Sequence, residues 1–440
     1  MDHNGQEAKR NDAVGHRVAV GSDGGSGRER RAGGAAFQSA ADRGPLGIYA
    51  KTASTSAQTP PTTWAEVQDG HGEVVPLEGV GAKLKILVDP RQARAERFAL
   101  KSVVNGIMPT SRTSKCMRWR VPKQSVEVWQ SAEHKKAHYK GVQMCASVWC
   151  CPVCSAKISE RRRAELQGAV ATAKAMGWQV LMLTLTVPHA LGDDLHDMLD
   201  RMMAAWRYCS SSRMGKAARA AIDLKGTIRA LEVTHGQNGW HPHFHVLLFV
   251  PGHVTVQRVQ DEFTPLWLHA CVAKGLPCPS ALRGVRVDDG SYAAAYASKW
   301  GLESEMTKGH SKQGKNGGRT PFDLLRGILS DKSDKRSVAL FLAFAEAFKG
   351  RRQLYWSQGL KEALGVADLA DDELVEVDDD ESTLLAQLTD EQWRAVKATR
   401  NEASLLTVAE LHPDAVPFFL ETVVSMMRAK QAQQPPDPHD

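Results

Sequence analysis

The chain has 440 residues, 42% of them apolar, with 56 lysines and arginines against 50 aspartates and glutamates. That length allows two or three folded units, and this composition excludes a collagen-like or wholly disordered chain. No run approaches the roughly 20 apolar residues that span a bilayer, and the opening MDHNGQEAKR lacks the apolar segment of a secretory signal, so a cytoplasmic protein with no membrane partner is expected. Charge is uneven: residues 361–440 hold 6 basic and 18 acidic residues, which leaves +18 on the preceding 360 and points to a polyanion partner for that body.

In chain order, residues 1–60 are rich in Gly, Ala, Ser and charge and read as a disordered arm. Residues 98–158 form a cysteine-rich region. A helix starts at Ile158 and stops at a glycine. WQVLMLTLTVPH (178–189) reads as a buried strand, and 192–223 as helical. TIRALEVTH (227–235) and HPHFHVLLFV (241–250) read as two strands joined by a Gln-Asn-Gly turn. A helix over 254–274, a short strand over 284–289 and a helix over 291–300 follow. Two further helices, a strand-like Leu354-Tyr355-Trp356, an acidic stretch over 368–381 and a helical tail complete the chain. The expected fold class is α+β, a mainly antiparallel sheet with flanking helices and a small cysteine-rich lobe. The expected divisions are 1–60, 98–158, 159–365 and an acidic linker with a helical tail over 366–440.

Side chains alternate across a strand, so His243 and His245 share one face while Phe244 points to the other. Two imidazoles at i and i+2 can chelate one divalent ion. Glu232, across the turn, is the candidate third ligand. Two His and one carboxylate leave positions open for water or substrate oxygens and suit Mn²⁺ or Mg²⁺ on a phosphate, with Zn²⁺ as an alternative. His241 is a candidate supporting or substrate-facing group. In SYAAAYASKW, Tyr292, Tyr296 and Lys299 fall at i, i+4 and i+7, one helical face separated by alanines. A phenol can act as a covalent nucleophile when its target is activated. The plain alternative is a core stripe.

Taken together, LTLTV (183–187), WHPHFHVLL (240–248) and YAAAYASKW (292–300) resemble, in order, the three motifs of the HUH endonucleases, specifically the plasmid rolling-circle replication initiators. The resemblance runs from about Cys116 to Gly365. It implies an HUH endonuclease-like fold over 159–365 and an enzyme that nicks and rejoins one DNA strand at a plasmid double-strand origin. By the same resemblance, Tyr296 stands at the nucleophile that takes the 5′-phosphate, His243 and His245 at the metal ligands, Glu232 less securely so, and Lys299 at the lysine after the nucleophile. Some initiators have a glutamate four residues before that tyrosine. Here Tyr292 stands there, a spacing similar to the two-tyrosine members, so Tyr292 is a candidate second nucleophile. No GxxxxGK[ST] phosphate loop is present. A host helicase and a DNA polymerase are the expected partners, beside the origin DNA.

Four of the eight cysteines lie within Cys145–Cys154. Cys151-Pro-Val-Cys154 with Cys145 and Cys116 can close a structural zinc site, with Cys150, His134 and His138 as alternatives. Lys115, Arg118, Arg120 and Lys123 around Trp119 make this region a candidate DNA contact. Cys209, Cys271 and Cys278 read as ordinary apolar positions. Competing readings are a rolling-circle transposase with the same chemistry, a zinc-dependent DNA-binding regulator without catalysis, and a small-molecule metalloenzyme. The last leaves the tyrosine helix and the basic body unexplained.

Overall fold

The computed structural model describes residues 90–298, 318–376 and 381–433. The arm over 1–60 and Lys299 lie outside them. Among the described residues, no helix is long and apolar enough to cross a membrane.

The main sheet has five strands: β3 (Trp178–Thr186), β4 (Gly226–Gly236), β5 (Gly239–Pro251), β6 (Val285–Asp288) and β7 (Leu354–Trp356), in the order β6-β3-β5-β4-β7. Every neighbouring pair is antiparallel. β4 and β5 form the expected hairpin. Gly239 closes it at φ +87°, and a Cβ there would stand 2.8 Å from the Ala190 carbonyl oxygen. The period-2 pattern of β5 divides the core. Phe244, Val246, Leu248 and Val250 join Leu181, Leu183 and Leu231 in one layer, under α4 (Leu195–Ser211) and α6 (Val256–Ala273). Leu247 and Phe249 join Val180, Met182, Ile228 and Ala230 in the other, under α3 (Pro152–Ala175) and α8 (Gly290–Ser298). His243 and His245 continue the second row.

A smaller antiparallel sheet has the order β2 (Ala137–Lys140), β1 (Val126–Ser131), β8 (Ser382–Leu388). Its core includes Val126, Val128, Tyr139 and the cysteines, and is completed by Trp393, Leu405, Leu406, Leu420 and Val423. These last come from α13 (Asp390–Ala398), α14 (Glu402–Leu411) and α15 (Val416–Ala432). Residues 366–440, read from sequence as a linker and helical tail, therefore supply a strand and three helices to the cysteine lobe. A buried apolar face on each cannot remain a solvated tail. The acidic stretch contains a short helix, α12 (Asp371–Glu376).

Other departures are local. The helix expected from Ile158 begins at Pro152, because proline without an N–H suits the first turn. The region 192–223 breaks at Ser212, whose side chain accepts from Gly215 N–H and starts α5 (Arg213–Ala221). α1 (Pro90–Ile107) precedes the cysteine region. Short helices complete the middle of the chain: α2 (Arg112–Lys115), α7 (Ala281–Gly284), α9 (Pro321–Ser330), α10 (Lys335–Ala347) and α11 (Leu360–Ala363). Cys209 and Cys271 are buried as expected, whereas Cys278 is exposed.

Candidate metal and tyrosine site

Strand register brings the histidines and the glutamate together. Glu232 stands directly opposite His243, and Ala230 opposite His245. The Nε2 atoms of His243 and His245 lie 3.4 and 3.6 Å from the same Glu232 oxygen, Oε2. Each Nδ1 has another partner. That of His245 hydrogen-bonds the Thr184 hydroxyl at 3.0 Å, and that of His243 approaches the His241 carbonyl at 3.4 Å. With the Nδ1 protons assigned to those partners, both Nε2 lone pairs face the carboxylate. Metal bonds of about 2.0–2.2 Å put neighbouring ligand atoms roughly 3–3.5 Å apart, so this spacing fits one divalent ion with positions left open. His243 and His245 are mostly covered, but Glu232 keeps about a third of its side chain exposed, at 36%.

The phenol arrives from a separate element. Asp289, just after β6, accepts from the N–H groups of Ser291 and Tyr292 and so starts α8. Ala293, wholly buried, seats the helix on the sheet. One turn on, the Tyr296 hydroxyl donates to Glu232 Oε1 at 2.7 Å, and its ring centroid is 5.0 Å from that of His245. One carboxylate thus touches the phenol with one oxygen and faces the imidazoles with the other. Tyr292 is 48% exposed, and the Arg286 guanidinium sits 5.7 Å above its ring.

Electrostatics follow from this crowding. Burial pushes the Glu232 carboxyl up, but the hydrogen bond from His243 and the charges of His245 and His243 outweigh it and hold the group at about 2. Burial lowers His245 to about 4, against the pull of Glu232. Burial, with the neighbouring Glu232 charge, pushes the Tyr296 phenol well above its ordinary value. At neutral pH the site therefore offers a carboxylate, a neutral His245 imidazole and a protonated phenol. His241 is not a ligand: its Nδ1 lies 3.3 Å from His189 Nδ1, and its ring stacks on His243.

The cysteine cluster has the opposite character. Cys116 ends α2, Cys145 lies in the loop after β2, Cys151 caps α3 and Cys154 sits in its first turn. Their four sulfurs lie within 4.8 Å of one another, and Cys116 to Cys154, Cys145 to Cys154 and Cys151 to Cys116 measure 3.4, 3.7 and 3.7 Å. A tetrahedron with Zn–S bonds of about 2.3 Å has edges near 3.8 Å, whereas a disulfide would close to about 2.0 Å. Backbone geometry agrees. Met117 and Ala146, each directly after a cysteine of the cluster, take positive φ of 57° and 48°. Such strain persists only where the surroundings enforce it. All four thiols are buried, so the set fits a closed structural metal. Cys150 instead packs in the core of the main sheet, and His134 and His138 are not part of the four-sulfur group.

Thr184 and His189 escaped sequence reading. Thr184 stands opposite His245 only through the β3–β5 register. Its sole sequence signal is its place in the LTLTV strand.

Fold and site together define a mixed α/β protein with an open two-histidine, one-carboxylate set beside a tyrosine, and a closed four-cysteine cluster. The profile of the replication protein family (Rep_1) matches residues 136–402, and the chain belongs to that family. It is 27% identical over 331 residues to the protein rep of Streptomyces lividans, an alignment covering 58% of this chain and 73% of that one. A neomycin resistance protein of Streptomyces cyanogenus is 30% identical over 28% of this chain and 35% of its own. The protein rep of Bacillus amyloliquefaciens is 31% identical over 31% of this chain and 38% of its own. No solved structure matches the chain. These relationships agree with the plasmid-initiator resemblance carried by the motifs.

Proposed function

We propose that this protein is an HUH endonuclease that initiates rolling-circle replication, nicking and rejoining one DNA strand at a plasmid double-strand origin through a 5′-phosphotyrosine on Tyr296. The observation that carries the reading is the Glu232 carboxylate, which holds the Tyr296 hydroxyl on one oxygen and faces His243 and His245 with the other. His243, His245 and Glu232 would hold a Mn²⁺ or Mg²⁺ ion. Such an ion, when bound, supplies Lewis-acid polarisation of the scissile phosphate.

The chain's own residues do the rest. Glu232 orients the phenol and is positioned to accept its proton as the oxygen attacks phosphorus. The P–O3′ bond breaks, the freed 3′ oxygen takes a proton, and the 5′-phosphate remains on Tyr296. Attack by a 3′-hydroxyl reverses the exchange, and the ester energy is conserved in both directions. Thr184 fixes the His245 ring. Tyr292, one turn before Tyr296 and exposed, is proposed as the nucleophile of the second cleavage, with Lys299 assisting at the phosphate. In the cysteine lobe, Trp119 is 56% exposed with the Lys115 ammonium 4.9 Å from its ring centroid. That pair suits a nucleic-acid contact. Helicase and polymerase would come from the host.

The test is incubation of supercoiled plasmid carrying its own origin with the protein, in Mn²⁺ and in chelator. The reading expects open circles only with metal, and none from Tyr296→Phe. Equal nicking by Tyr296→Phe would refute it.

A further inference from the structure

Beside the site, on the same face of the sheet, lies a cavity of about 480 Å³ between α3, β7 and the segment leading to α12. Register locates it. Leu354 pairs with Ala230, which pairs with His245, and Trp356 pairs with Ile228. Leu354 is therefore two strands from His245, roughly 10 Å at ordinary strand spacing. The backbone N–H of Leu231, next to Glu232, donates to the Gln353 carbonyl at 3.0 Å.

Two side-chain atoms among the residues lining this cavity are buried without a hydrogen-bond partner, the indole Nε1–H of Trp356 and the amide Oε1 of Gln353. One is a donor and the other an acceptor. A buried orphan of either kind costs about 1–3 kcal/mol, and two lining one cavity call for a ligand that satisfies both. The charged lining is balanced: Arg162, Arg352 and Lys361 against Asp368, Asp371 and Glu373. Arg162 is paired with Asp371 and Lys361 with Asp368, at 3.1 and 2.9 Å. The cavity therefore suits an uncharged ligand with a donor and an acceptor, not a phosphate. Trp356 adds a flat indole, with Lys361 Nζ 5.4 Å from its ring centroid. The volume is that of a small-molecule site.

We propose that the cavity is a nucleobase subsite: it takes one unpaired base of the strand being cut, a few nucleotides from the scissile phosphate, with Trp356 Nε1–H donating to a base carbonyl or ring nitrogen and Gln353 accepting from a base N–H. This rests on the strand-cutting reading above. It gives the protein a way to choose its strand by a base, where the metal and tyrosine see only the backbone.

The test uses the full chain labelled with 5-fluorotryptophan, with Trp356→Phe assigning the Trp356 fluorine resonance. The four deoxynucleoside 5′-monophosphates, inorganic phosphate and short single-stranded oligonucleotides are titrated without divalent metal. The subsite predicts that the Trp356 resonance moves with nucleotides, prefers one base, and moves at lower concentration with the strand carrying that base. An abasic site in place of that base should abolish the shift. Gln353→Leu should weaken binding roughly 3- to 10-fold, the worth of one hydrogen bond, while its other fluorine resonances stay in place as proof of folding. A resonance that moves with phosphate alone, with a mononucleotide but not with the strand, or with nothing overturns the proposal. The readout needs neither Tyr296 nor a metal. Its failure leaves the cleavage reading standing, and a Tyr296→Phe protein that still cuts sinks that reading without touching base binding.

Discussion

The cysteine cluster and the histidine site are both built for metal, but they are built differently. Four sulfurs with no exposed face, held by loops at strained dihedrals, close a shell that leaves no room for substrate. Two imidazoles and a half-open carboxylate on a rigid sheet leave part of the shell vacant and set a phenol at its edge. The difference separates a device for holding chain segments together from one for exchanging bonds. α3 joins the two. Its first turn carries Cys154, and its last turns pack Leu166, Ala169 and Val170 beneath the sheet face that bears the histidines.

The comparison yields predictions of decreasing size. Cys151→Ser, or removal of metal by a strong chelator, should unfold the cysteine lobe. The loss should be on the order of 5 kcal/mol or more, read by circular dichroism and by loss of one zinc per chain in native mass spectrometry. An unchanged melt in both would make the cluster four ordinary thiols. The open site should respond to metal without that collapse. Thr184→Val should weaken Mn²⁺ binding roughly 10- to 100-fold by freeing the His245 ring, measured by calorimetry, with little change in melting temperature.

Protons should act on the open site as well. His241 and His245 are each lowered from 6.5 to about 4 by burial. The unfolded chain therefore binds protons that the fold refuses. Their contribution to stability is complete above the unfolded value and declines as pH falls from 6.5 towards 4. Denaturant melts of the metal-free protein across that range should show the decline, and His245→Gln should flatten it. The smallest effect is expected at Tyr292→Phe, which should leave the first nick intact and slow only the second. An equal loss of both would mean that Tyr292 serves the first step.

Legibility in the sequence followed the range of the interactions. The β4–β5 hairpin declared itself through alternation and a local turn, so the placing of Glu232 beside His243 could be read from spacing alone. The placing of Tyr296 was carried by motif resemblance. β8 gave no such sign. STLLAQL follows an acidic run, lacks clean alternation, and pairs with β1 some 250 residues earlier. That pairing draws the last three helices into the lobe. Thr184 was invisible for the same reason, since a threonine in an apolar strand acquires meaning only when register sets it against a histidine.

The most direct measurement is the site of covalent attachment. After reaction of the protein with Mn²⁺ and a labelled origin strand, nuclease and protease digestion followed by mass spectrometry should find a 5′-phosphate ester on the peptide bearing Tyr296, and none in a His243→Ala, His245→Ala protein. Nicks with free 5′ ends, or an adduct on a residue remote from Glu232, would contradict the account.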